Sequence, residues 1–217
     1  MINETGISVQ RNLVIVAHPD DETLWCGGMI LTHPSSNWFI ISLCRKNDKE
    51  RASKFYQVLK ILNAKGKMGN LDDGPEQSPL EKKIIESEIL KLLPARNFDR
   101  IITHNPSGEY TRHIRHEEIS QVVIELWYNN KIKTNELWTF AYQDGNKKYF
   151  PKAEEKAIQY PLNKKIWKKK YALITEIYGF PPSGFEAETT PRIEAFWIFK
   201  DPKQAFKWLQ YGGKHHA

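Results

Sequence analysis

The sequence is poor in cysteine, with only Cys26 and Cys44 among 217 residues, and its apolar runs are no longer than the five residues of 13–17. Two cysteines cannot make a disulfide framework, and a reducing compartment suits them best. Five apolar residues fall far short of the roughly 20 that a membrane-spanning helix needs. Residues 1–11 are polar and lack the charged-then-apolar layout of a signal peptide. Together these absences predict a cytoplasmic protein with no transmembrane segment. Internal repeats and low-complexity tracts are missing too. So is any G-x-G-x-x-G fingerprint, which leaves Gly27-Gly28 to be read as close packing of a helix on a sheet. The net charge of +6 is a mild bias over this length, compatible with an anionic ligand but short of a polybasic tract. The lysine-rich stretch 164–170 reads as the solvated face of an amphipathic helix, so no nucleic-acid partner is expected.

What is present is an alternation of short apolar runs and longer amphipathic ones. Residues 13–17 are β-branched and apolar on both faces, as a buried parallel strand should be. The pattern then predicts helix over 22–31, strand over 38–43, helix over 49–62, helix over 79–93 and strand over 99–103. Helix 116–128, strand 136–142 and an amphipathic stretch over 162–177 follow. Residues 65–78, 105–111 and 179–191 read as loops, the last long enough to be a lid. Strand–helix alternation at this spacing argues for one α/β domain over residues 1–217, with a mostly parallel, Rossmann-like sheet flanked by helices. Ligands of such sheets bind at the carboxyl ends of the strands.

Two such ends carry chemistry. The first strand runs straight into His18-Pro19-Asp20-Asp21-Glu22, and the strand ending at Thr103 runs into His104-Asn105-Pro106. His113 and His116 lie three residues apart, so a helical turn would put both on one side. Histidines with a carboxylate are the donor set of a catalytic zinc site that keeps one position open. Neighbouring aspartates on an extended segment point in opposite directions. One can then ligate while the other accepts a proton from water, a division of labour that suits metal-assisted hydrolysis. His104 reads as a hydrogen-bonding support, and Cys26 as core.

These segments resemble a known family. Ala17-His18-Pro19-Asp20-Asp21-Glu22, followed by Cys26-Gly27-Gly28, resembles the signature of the PIG-L/LmbE zinc-dependent deacetylases. Residues 103–110, then His113 and His116, resemble that family's second motif. Weaker matches are Arg51, residues 71–74 and Glu194-Ala195-Phe196. The resemblance implies a zinc-dependent hydrolase that removes acetyl from an N-acetylated amino sugar, a small molecule or glycoconjugate of the N-acetylglucosamine type. It implies that His18, Asp21 and His116 hold Zn(2+), that Asp20 is the general base, and that His113 stabilises the oxyanion or moves protons. Arg51, Asp73 and Arg112 become candidate substrate-binding residues, and a homo-oligomer is compatible with the pattern. The sequence departs from many relatives at Lys54, where a Glu is common, and at Ile114-Arg115, where Pro-Asp is common. Two other readings use the same residues. One is a non-enzymatic Rossmann-like module binding sugar or nucleotide. The other is the two-His-one-carboxylate set of Fe(II) oxygenases.

Overall fold

A computed structural model describes residues 9–76, 78–111 and 113–213. Strand β1, Arg11–Val16, is buried from Asn12 onward, and its side chains divide by parity between two cores. Val14 and Val16 pack on one face of the sheet, Leu13 and Ile15 on the other. Each such buried aliphatic side chain is worth roughly 1.5–3 kcal/mol. A charge at any of them would unseat the strand that launches His18.

Along the chain follow α1 (Asp21–Thr32), β2 (Asn37–Cys44), α2 (Lys49–Ile61), β3 (Lys65–Leu71), α3 (Lys82–Leu92), β4 (Asn97–Thr103), α4 (Ile114–Tyr128) and β5 (Lys133–Phe140). Then come β6 (Tyr142–Gln143), β7 (Lys152–Ala153), β8 (Ile158–Pro161), α5 (Lys164–Ala172), a π-helical turn (Leu173–Ile177), α6 (Phe185–Thr189), β9 (Ile193–Phe199) and α7 (Pro202–Gln210). The main sheet has seven strands in the order β3-β2-β1-β4-β5-β9-β8. The first five are mutually parallel, while β9 and β8 are antiparallel to their neighbours. Helices α1 and α2 cover one face, and α3, α4 and α7 cover the other. The chain leaves β1 toward β2 on one side and returns to β4 on the other, so a crevice opens at the carboxyl ends of β1 and β4.

Several expectations are corrected. Residues 65–71, read as loop for their glycines, form β3. A Cβ at Gly66 would lie 2.3 Å from the Ile40 carbonyl oxygen, and one at Gly69 would lie 2.8 Å from that of Leu43. These glycines therefore mark the close approach of two backbones and not a turn. Helix α4 begins at Ile114, which makes His113 its N-cap. Residues 179–191 include the short helix α6. Lys170, expected in solvent, is fully buried against Glu194. Strand β9 and helix α7 had no counterpart in the sequence reading. The packing role of Gly27-Gly28 does hold, since a Cβ at Gly28 would meet the Leu162 methyls at 2.5 Å. Cys26 is core, as expected.

Candidate active site

Three atoms meet at the crevice. Nδ1 of His18 lies 3.2 Å from Oδ2 of Asp21 and 3.3 Å from Nε2 of His116, and the last two are 3.4 Å apart. A tetrahedral ion with bonds of about 2.0–2.1 Å spaces its ligand atoms by about 3.3–3.4 Å. The triangle could therefore hold such an ion without rearrangement. Each donor comes from a different constraint. His18 is two residues past the end of β1, Asp21 opens α1, and His116 sits on the first turn of α4 beside its N-cap, His113. The His113 and His116 rings stack at 4.4 Å, so both lie on one side although His113 precedes the helix.

A surrounding layer orients the donors. Nδ1 of His116 lies 2.7 Å from Oε2 of the fully buried Glu109, which leaves its Nε2 facing the crevice. Glu109 also contacts His104 and accepts from the Asn105 N–H at 2.8 Å. Nε2 of His104 accepts the Ala17 N–H at 2.9 Å, so that nitrogen's lone pair is spent on the backbone. His104 thus bonds the Ala17 backbone and Glu109, and its Nε2 also stands 3.5 Å from Oδ2 of Asp21. On the other side, Oδ1 of Asp73 stands 3.1 Å from Nε2 of His18, while its Oδ2 pairs with Arg45 at 2.6 Å. Both Asp73 oxygens thus meet side chains of the protein, Oδ1 at His18 and Oδ2 at Arg45.

Electrostatics follow from this crowding. Burial opposes charge on His18, but Asp21 and Asp73 outweigh it and hold the imidazole up at about 9. Asp21 works against burial too, and His116 and His104 pull it well below the usual carboxylate range. Asp73, despite burial, is held below that range by His18 and Arg45. His113 differs, because burial and the neighbouring His116 and His18 push it down to about 3. Its Nδ1 is buried without a hydrogen-bond partner among the described residues.

Asp20 is the strained member. Its φ of 131° lies in the region that favours glycine, and it caps α1 without a side-chain hydrogen bond to the helix. The adjacent aspartates thus diverge through a sharp turn, where an extended segment was expected. Burial, then the charge of Asp21, push the Asp20 carboxyl well above its ordinary range, while His18 and Arg51 draw it down. Arg51 lies on the first turn of α2 with its guanidinium 4.8 Å from the centre of the Phe180 ring. Arg112 lies outside the described residues, as do His215 and His216. Arg115 is fully buried and bonds the carbonyls of Asp72 and Ser78 and the Glu118 carboxylate at 2.5–2.6 Å. It staples the segment carrying Asp73 to the helix carrying His116. Tyr110 packs its ring 5.6 Å from that of His116, and Phe185, from the 179–191 segment, packs 5.0 Å from Tyr110. A cavity of about 1300 Å³ lies beyond Tyr110, lined also by Asp144, Tyr149 and Trp197. Sequence reasoning gave Glu109 and Arg45 no role. The only signal for Glu109 was its place in the second motif.

The fold and the crevice define an α/β protein with a His-Asp-His donor set at a sheet switch point. Residues 13–127, more than half of the chain, match the PIG-L family, described as GlcNAc-PI de-N-acetylase, and the chain belongs to that family. An uncharacterized protein of Acanthamoeba polyphaga mimivirus, L374, is 25% identical over 179 residues, 75% of this chain and 76% of its own length. Among solved structures, the N,N'-diacetylchitobiose deacetylase of Pyrococcus horikoshii matches with a TM-score of 0.63 and 14% identity over 89% of this chain and 85% of its own. A deacetylase of teicoplanin biosynthesis matches at 0.63 and 12% identity, over 88% of this chain and 99% of its own. The conserved protein TT1542 of Thermus thermophilus matches at 0.58 and 17% identity, over 87% and 94%. At these identities the likeness shows the fold: a mostly parallel sheet flanked by helices.

Proposed function

We propose that this chain is a zinc-dependent N-deacetylase that removes acetyl from an N-acetylated amino sugar or its glycoconjugate. The observation that carries the reading is the triangle of His18, Asp21 and His116, whose edges of 3.2–3.4 Å suit a tetrahedral ion. The nitrogen-and-carboxylate donors fit a divalent transition metal, and zinc is the reading that agrees with a hydrolytic reaction on this α/β fold. When bound, zinc supplies Lewis acidity toward the acetamide carbonyl and acidifies water.

The protein's own groups do the rest. Asp20 takes the proton of the attacking water and later delivers it to the departing nitrogen. A carboxyl whose burial and neighbours raise its pKa suits both halves of that task. His113, held neutral, donates to the oxygen on which negative charge develops. Glu109 and Asp73 keep the ligand imidazoles in register. Arg51, whose guanidinium lies over the Phe180 ring and whose charge acts on Asp20, is placed to meet the substrate, and residues 179–191 are its proposed cover. That the deacetylases sharing this fold include enzymes named for a chitobiose and for teicoplanin supports an N-acetylated sugar as substrate.

The test is a panel of N-acetylglucosaminides incubated with the zinc-loaded chain, followed by measurement of acetate and free amine. Hydrolysis should vanish on dialysis against a chelator and return with zinc. Undiminished hydrolysis by metal-free protein would overturn the reading.

A further inference from the structure

Glu22 is fully buried, and no lysine or arginine pairs with it among the described residues. A lone carboxylate in that position is costly unless hydrogen bonds satisfy it. Three donors do so. The Tyr178 hydroxyl and the Thr23 hydroxyl each reach Oε1 at 2.6 Å, and the Asp20 N–H reaches Oε2 at 3.0 Å. The last bond matters because Asp20 carries the strained φ of 131°. A backbone held in a sparsely populated region persists only where its surroundings over-determine it. The Glu22 carboxylate is the group that receives the amide of that conformation.

Tyr178 is itself placed by an unusual local structure. Its N–H bonds to the Leu173 carbonyl at 2.9 Å, closing the π turn Leu173–Ile177 at the end of α5. The wider turn adds a residue to the helical repeat and so alters which way the next side chain faces. Tyr178 is 2% exposed, so its hydroxyl is delivered inward to Glu22. Its carbonyl accepts from Nζ of Lys54 at 2.8 Å, which anchors the turn to α2. The next residue, Gly179, has φ 81° and opens the 179–191 segment. Phe180 then receives Arg51. One hydroxyl thus joins the root of that segment to the backbone of Asp20.

We infer that Glu22 and Tyr178 are positioning residues for Asp20: the Glu22 carboxylate, fixed by the Tyr178 hydroxyl, holds the Asp20 backbone in its strained conformation beside His18 and Asp21. The inference rests on the proposed role of Asp20 as proton acceptor. It makes the root of the 179–191 segment part of the apparatus that keeps that acceptor in place.

The experiment uses Tyr178→Phe, which removes only the hydroxyl, and Glu22→Gln, which keeps the shape but loses an acceptor of full charge. Both variants should bind zinc as the wild type does. Amide hydrogen exchange at Asp20 should accelerate about ten- to hundredfold, the scale of one lost hydrogen bond to a charged group. Exchange at Cys26 and Ile30, deeper in α1, should not change. Turnover should fall about tenfold or more in each variant, with KM within twofold. Unchanged exchange at Asp20 in both variants overturns the inference, as does wild-type kcat in variants whose Asp20 amide is freed. Should the wild-type chain release no acetate at all, the proposed function fails by itself, and the exchange result still decides whether Glu22 and Tyr178 hold Asp20.

Discussion

Two clusters of buried charge lie on either side of α1, and they differ in how well they are satisfied. Beneath the middle of the helix, Glu194 takes Nζ of Lys170 at 2.7 Å on Oε1, the Gly28 N–H at 2.7 Å on the same oxygen, and the Met29 N–H at 2.6 Å on Oε2. Every charge there has a partner, and the partners include the helix backbone. At the N-terminal end of the same helix, two imidazole nitrogens and a carboxylate oxygen converge to 3.2–3.4 Å of one another. Beside them His113 keeps an orphaned nitrogen and Asp20 a strained backbone. Both clusters are buried, so burial alone does not separate them; they differ in that the first holds an ion pair closed on the helix backbone and the second gathers several titratable groups with shifted pKa values.

Mutation can sharpen that contrast. The largest effect is expected from His116→Ala, which leaves two ligands where a zinc site wants at least three. Zinc content and hydrolysis should disappear together, as elemental analysis and acetate release would report; because His116 is buried and bonded to Glu109, the metal-free protein should also lose some stability. Next comes Asp20→Asn, which should retain zinc and lose about 10²–10⁴-fold in kcat. If Asp20→Asn loses zinc while Asp21→Asn keeps it, the two aspartates have the opposite roles. The third variant belongs to the other cluster. Lys170→Ala leaves Glu194 buried and unpaired, at a cost of about 3–5 kcal/mol in unfolding free energy. Denaturant titration should show that loss, while activity per folded, zinc-loaded molecule stays near wild type. A Lys170→Ala protein of full stability and no activity would erase the contrast.

The sequence made the parallel half of the fold readable because its signals were local. β1 announces itself by a buried run that ends on His18, and the paired histidines fall at a helical interval. Elements at the antiparallel edge escaped notice for physical reasons. β9 carries an apolar run, 195–199, as long as that of β1, but no helix-and-turn alternation frames it, and its antiparallel pairing with β5 and β8 is set by residues distant in sequence. Glycines in β3 imitate a turn because the same residue serves φ freedom and close backbone approach. Lys170 belongs to a lysine run whose other members are not buried, and only its long-range partner at Glu194 reverses the reading. Within the site, the two motifs brought His18, Asp20, Asp21, His113 and His116 into view. The layer behind them was hidden, since Arg45 and Tyr178 act through contacts 28 and 156 residues away in sequence.

The conformation of Asp20 sets stability against activity. Its φ of 131° is one that glycine adopts freely and aspartate only under constraint. Asp20→Gly should therefore raise the unfolding free energy by about 1–3 kcal/mol through relief of strain, while removing the proposed proton acceptor. Denaturant midpoint and acetate release, measured on one preparation, would move in opposite directions. A lineage selected only for endurance would drift to glycine at this position and fall silent as a catalyst.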